Sequence, residues 1–320
     1  MALRSLFDVA APAKLNLFLH VVGRRSDGYH LLQSVLVPID WCDTLHFERR
    51  SDGRLLRHDL GDALPADDLC LRAARALQEA SGTGLGVDLS IHKRIPSGAG
   101  LGGGSSDAAS TLLALNRLWA LHWPRERLQP LALALGADVP FFLEGGPAVA
   151  EGIGEKLTRI ELPPSWFAVV KPAAYLATAS IFQSPLLGQS TEADIVEGFA
   201  EAGLARSAGG GASVARNAIG HDGSNRPGES VGDREELFWS YGRNDLQAAA
   251  EAVCNEVAAA TAWLLSQFGN SRMTGSGSAV FSRVEGAERP GRELPEQLPS
   301  GWTGKMCRSL ATHPLDGWAE

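Results

Sequence analysis

Residues 96–107 read Pro-Ser-Gly-Ala-Gly-Leu-Gly-Gly-Gly-Ser-Ser-Asp, and four of the five residues from Gly100 to Gly104 are glycine. A backbone without Cβ atoms can approach an anion closely, and its N–H groups can converge on it. Val87–Lys93 ahead of this stretch reads as a strand, and the alanine- and leucine-rich run Ala108–Leu118 behind it reads as a helix. Ser105, Ser106 and Asp107 therefore fall where a helix start adds free N–H groups and partial positive charge. The bland alternative is a linker or a tight helix-packing turn, but the position between strand and helix favours a phosphate cradle.

Several phosphate loops share such glycines. Gly98-x-Gly100-x-x-Gly103 satisfies a dinucleotide fingerprint, which is weak on its own. That fold needs a second strand ending in an acid roughly 20 residues later, whereas Leu118–Arg127 holds tryptophans, a proline and basic residues. No Gly-Lys-Ser/Thr follows, so the P-loop pattern fails, and the protein-kinase signatures are absent.

Outward from the loop, residues 13–22 alternate, with Leu15, Leu17, Leu19 and Val21 on one side and Lys14 and Asn16 on the other. Asp27-Gly28 marks a turn, Ser34–Ile39 and Thr44–Glu48 read as separate strands, and 68–80 reads as a helix ending near Gly82. A helix over Arg125–Leu135 is broken by Gly136-Ala-Asp-Val-Pro-Phe-Phe142. Pro163-Pro164 precedes a strand at Trp166–Lys171 and suggests a boundary, with domains expected at 1–162 and 163–320. Glycine, serine and asparagine dominate 188–234, which reads as a flexible insertion. One long helix is expected over Asp245–Gln267, then a glycine turn at 273–278 leading into a strand. Strands and helices mix without regular βαβ alternation, so the fold class is α+β.

Composition narrows the field. The chain has 320 residues, 44% hydrophobic and 21% charged, with a net charge of −8. Those values exclude wholesale disorder and argue against a nucleic-acid-coating surface. No run approaches the roughly 20 apolar residues of a membrane span, and Met1–Asp8 does not read as a signal peptide. The four cysteines, Cys42, Cys70, Cys254 and Cys307, form no CxxC pair. The expectation is a cytoplasmic protein with no nucleic-acid or membrane partner; oligomeric state is not legible.

Three segments in order resemble the GHMP small-molecule kinases (galactose, homoserine, mevalonate and phosphomevalonate kinases): Ala11-Pro-Ala-Lys-Leu-Asn16, the loop 96–109, and Met273-Thr-Gly-Ser-Gly-Ser278. Asp27-Gly-Tyr-His-Leu-Leu-Gln33, Gly136-Ala-Asp-Val-Pro-Phe141 and Arg243-Asn-Asp-Leu246 are most similar to the branch whose acceptor is a cytidine diphosphate alcohol. The resemblance implies a two-domain GHMP kinase fold with the active site in the interdomain cleft, and transfer of the ATP γ-phosphoryl group to the 2-hydroxyl of that alcohol.

Pro96, Ser97, Gly98, Ala99, Gly100, Leu101, Gly102, Gly103, Gly104, Ser105 and Ser106 are then expected to hold ATP. Mg2+ is expected with it, near Ser105 or Ser106, although no acidic cluster of metal-ligand spacing assigns a protein ligand. By resemblance, Asp138 is the general base and Lys14 holds the transferring phosphoryl group. Asn16, Tyr29, His30 and Phe182 are implied at the substrate, with the aromatic rings around the pyrimidine. Taken singly, Asp138 reads equally as a helix-capping acid, Lys14 as an edge-strand lysine and Phe182 as a core aromatic. Ala177-Thr-Ala-Ser-Ile-Phe182 lacks the proline usual in the family. The competing readings are a homoserine- or phosphomevalonate-type kinase, a catalytically silent ligand-binding member, and, last, a dinucleotide-dependent oxidoreductase.

Overall fold

The computed structural model describes residues 3–188, 206–207, 241–284, 293–295 and 298–319. Two antiparallel strands, β1 (Ser5–Arg24) and β2 (His30–Arg50), form a hairpin that runs the length of the first sheet. β3 (Leu55–Asp59), β4 (Gly86–His92), β5 (Ala148–Gly152) and β6 (Lys156–Glu161) complete it in the order β3-β4-β2-β5-β6, with β1 on β2. A second sheet opens with β7 (Trp166–Lys171) after the proline pair, and β6 also pairs with the two-residue β8 (Arg206–Ser207). The second sheet is antiparallel, in the order β11 (Thr303–Arg308)-β7-β10 (Val280–Val284)-β9 (Arg272–Met273). The insertion expected at 188–234 lies outside the described residues except for Gly188 and β8.

The two strands expected over 34–48 are one. Pro12 pairs with Cys42 and Ala13 with Ile39, so Asp40 and Trp41 are absorbed as a bulge and β2 continues. A second irregularity lies between Asn16 and Phe18. Leu15 and Leu17 pack in one cluster with Val35, Val37 and Phe167, while Leu19 and Val21 pass to another with Val170, Leu246 and Val280. Both faces of β1 are therefore buried over residues 11–21, Lys14 and Asn16 included.

Helices α1 (Leu69–Ser81) and α2 (Gly103–Leu118) cover the first sheet, and α3 (Arg125–Leu135) packs against both. Asp68 caps α1 by accepting the Leu71 N–H, and Gly82 ends it in the left-handed region. Leu112, Leu115 and Leu118 of α2 meet Leu45, Phe47, Leu89 and Ile91 of the sheet, all essentially inaccessible. Each contributes about 1.5–3 kcal/mol by burial. Leu315 and Ala319 return from the far end of the chain to the same core, which nothing in the sequence announced.

Two local readings are corrected. Gly136–Phe142 does not simply break a helix, because Val139–Glu144 forms a short helix, α4, with Asp138 at its N-cap position. Pro140 is tolerated in its first turn, where an N–H would have no intrahelical acceptor. The expected long helix is two: α6 (Gln247–Val253) and α7 (Asn255–Phe268), separated by Cys254 in an extended conformation. Ala250, Val257, Ala260 and Leu264 are all buried at helical spacing, so the hydrophobic period runs across the break without marking it. Between β7 and α6 lies α5 (Thr178–Phe182). No second strand follows α2 as a dinucleotide fold requires; α3 does.

Candidate active site

Two glycine turns meet edge to edge between the sheets. The Ala279 N–H donates to Ala99 O at 3.1 Å, and the Ser278 N–H to Gly98 O at 3.3 Å. Gly98, Gly100 and Gly102 all have positive φ, at 62°, 74° and 71°, while Ala99 and Leu101 between them point into the core. A Cβ on Gly100 would stand 2.3 Å from Thr274 O, so only glycine permits this approach. The Lys14 N–H donates to Leu101 O at 2.9 Å and fastens β1 to the same loop.

These turns floor a cleft of about 850 Å³. Of the loop residues expected to hold ATP, Gly98, Gly100, Gly102 and Ser105 line it. Pro96, Ser97, Ala99, Leu101, Gly103, Gly104 and Ser106 do not, and Ser106 is fully buried. Gly103, Gly104 and Ser105 nevertheless open α2, where backbone N–H groups have no acceptor within the helix. Asp107 faces the other way. It is buried beneath the helix start, where Lys93 Nζ donates to both Asp107 and Asp43, and Asp43 also accepts the Ile95 N–H at 2.8 Å. Burial pushes the Asp107 carboxyl up against the pull of Lys93. This cluster clamps the entrance and exit of the loop together.

Lys14 and Asp138 meet in the cleft, with Nζ 3.9 Å from Oδ2. The lysine side chain is 4% exposed and the aspartate side chain 43%. Burial draws the Lys14 ammonium below its usual range, partly opposed by Asp138. Lys14 also donates to Asn16 Oδ1, whose amide donates to Ser34 Oγ at 2.8 Å, and the Asn16 N–H donates to Thr274 Oγ1 at 2.9 Å. Asn16 lines the cleft but spends its amide holding Lys14 in place. Asp138 makes no capping bond with its side chain, so its carboxylate is free to face the cleft.

The aromatic residues gather elsewhere along the same cleft. His30 and Phe182 stack with centroids 5.1 Å apart and planes at 23°. A ring inserted between two others needs about twice the ~3.5 Å contact distance, so no pyrimidine fits between these two. Tyr29 lines the cleft beside them and is 61% exposed. Burial, then the Arg24 charge, lowers the His30 pKa from its usual value.

Residues 68–146 match the family described as GHMP kinases N terminal domain. A 4-diphosphocytidyl-2-C-methyl-D-erythritol kinase of Methylibium petroleiphilum is 56% identical over 321 residues, covering 100% of each chain. The chain belongs to the 4-diphosphocytidyl-2-C-methyl-D-erythritol kinase family. A crystal structure of 4-(cytidine 5'-diphospho)-2C-methyl-D-erythritol kinase matches with a TM-score of 0.65 at 34% identity, covering 87% of this chain and 88% of that one. Homoserine kinase from Cytophaga hutchinsonii matches with a TM-score of 0.59 at 16% identity, over 88% of this chain and 86% of that one, a likeness of fold. The two-domain α+β GHMP fold expected from the motifs is thus the fold of this kinase family.

Several supports of this kinase-family site escaped the sequence reading. Asn244 donates to Met273 O and Gly275 O, each at 2.8 Å, and so fixes the second glycine turn. Thr274 and Ser34 hold Asn16, and Tyr175 lies against Gly98. The Arg243–Leu246 motif was the available signal for Asn244. Nothing in the sequence pointed to Ser34 or Tyr175.

Proposed function

We propose that this chain transfers the γ-phosphoryl group of ATP to the 2-hydroxyl of 4-diphosphocytidyl-2-C-methyl-D-erythritol, in the non-mevalonate route to isoprenoid precursors. The observation that carries this reading is one cleft holding both a buried lysine beside a carboxylate at a glycine cradle and an aromatic station suited to a pyrimidine. ATP phosphates lie on the backbone N–H groups of the loop and the start of α2. Lys14 carries positive charge to the γ-phosphoryl group, and Asn16 keeps it aimed there.

Asp138 accepts the proton of the acceptor hydroxyl as its oxygen bonds to the γ-phosphorus and the bond to the leaving ADP oxygen breaks. Tyr29 and the stacked His30–Phe182 pair offer ring faces to the cytosine. Mg2+ keeps most of its shell as water and phosphate oxygen, so it needs few protein donors. The Ser105 hydroxyl, on the cleft wall at the helix start, suits that place. When bound, the ion neutralises charge on the β- and γ-oxygens.

The division into an ATP-binding unit at 1–162 and a second unit at 163–320 is part of the same proposal. The change of sheet after Glu161 supports it, and the return of Leu315 and Ala319 to the first core qualifies it. We also read the enzyme as cytoplasmic, in keeping with its free thiols.

ADP release with MgATP tests the function. Turnover is expected with the cytidylated alcohol and not with homoserine, mevalonate or galactose. Turnover confined to another acceptor would overturn the assignment while keeping the phosphate cradle.

A further inference from the structure

Arg24 and His30 are directly opposed at the closing pair of the β1–β2 hairpin, and both line the cleft. The lining holds two fixed cations, Lys14 and Arg24, and two carboxylates, Asp27 and Asp138. Three of the four are already partnered. Lys14 faces Asp138 at 3.9 Å, and Asp27 takes Arg25 at 2.8 Å and the Tyr29 N–H at 3.2 Å. Arg24 uses only Nε, which donates to Gly28 O at 3.2 Å and holds the side chain over the turn. Among the described residues no carboxylate pairs with it, so the two terminal nitrogens of its fork are left for a ligand.

We infer that Arg24 is a specificity-determining residue that grips the diphosphate of the cytidylated acceptor, next to the base station formed by His30 and Phe182. The inference rests on the base-site reading given above and adds the anion contact that reading lacks. Arg24 stands across the strand pair from His30 on the same cleft wall, and a guanidinium with two free N–H2 groups matches phosphate oxygens bidentately. His30 is the poorer source of that charge, since burial and the neighbouring Arg24 both disfavour its protonated form. Lys14 does not supply it, being committed to Asp138 and the γ-phosphoryl end.

The test is inhibition of the ADP-release reaction by cytidine, CMP and CDP, with wild type, Arg24→Met and Arg24→Lys. In Arg24→Met the inhibition constant for CDP is expected to rise about tenfold, the loss of one charge-assisted pair. That for cytidine should stay within about twofold, with CMP between and the KM for ATP unchanged. Arg24→Lys should recover part of the CDP affinity. Equal losses for cytidine and CDP, no loss for either, or a loss confined to ATP would each overturn the proposal. A wild-type enzyme that ignores all three cytidine compounds would instead remove the base site itself, and the Arg24 contact with it.

Discussion

The Lys14 ammonium stands 3.9 Å from the Asp138 carboxylate although the two belong to a strand and a helix cap 124 residues apart, and burial of the lysine leaves the aspartate as the solvent-facing member. A buried ammonium beside a half-exposed carboxylate suits a site that awaits anions. The lysine is desolvated before phosphate arrives, and the carboxylate can still reach an incoming hydroxyl.

Asp138→Asn removes the proton acceptor while keeping the shape of the side chain. Turnover is expected to fall at least ~10²-fold, the low end for a lost general base, with ATP affinity roughly kept. Single-turnover ADP formation and ATP titration on the same preparation check it. Near-wild-type turnover would take Asp138 out of this role.

Gly100→Ala places a methyl group 2.3 Å from Thr274 O at a backbone φ of +74°. The left-handed conformation costs roughly 1–2 kcal/mol and the overlap about 1–3 more. Because the contact joins the two glycine turns, thermal stability and ATP affinity should fall together. A stable variant with unchanged KM for ATP would show that the turns need not touch.

Phe182→Ala and Tyr29→Ala should raise the KM for the cytidylated acceptor about tenfold, the order of one base-stacking contact, and leave that for ATP nearly unchanged. Steady-state kinetics with each substrate varied separately decide it. Parallel rises in both constants would indicate a damaged fold.

The glycine-rich loop, the first strand and the helix behind the loop were legible because glycine content, period-two alternation and an alanine–leucine run are local signals. The pairing of Lys14 with Asp138 was not. It depends on β1 being fastened to Leu101 and on α4 beginning at Asp138, and both are consequences of tertiary packing. Only the resemblance joined them. The fused strand β2 hid its continuity in a bulge, and the break at Cys254 left the helical period intact. Asp107 looked like part of the anion site because it follows the serines, but its side chain turns toward Lys93 and Asp43, a contact between residues distant in sequence. Asn16 shares the Lys14 face as the alternation implies, but its bonds to Lys14, Ser34 and Thr274 join residues that no local pattern links.

His313 supplies a stability switch away from the cleft. Its N–H donates to Gly145 O, and its Nδ1 accepts the Leu315 N–H at 3.1 Å. The proton of the neutral ring therefore sits on Nε2, which is buried without a partner. Protonating Nδ1 would set it against the Leu315 N–H and release the tail whose Leu315 fills the first core. Burial is the main cause that lowers the pKa from 6.5 to about 4. The unfolded chain thus binds a proton more readily than the folded one, and stability falls as the pH drops from 6.5 toward 4, with no contribution above that window. The loss by pH 5 is on the order of 2 kcal/mol. His313→Asn keeps an acceptor for Leu315 without the titration, so its Tm should fall less than that of wild type between pH 7 and pH 5. Parallel Tm curves for the two proteins would place the acid sensitivity elsewhere.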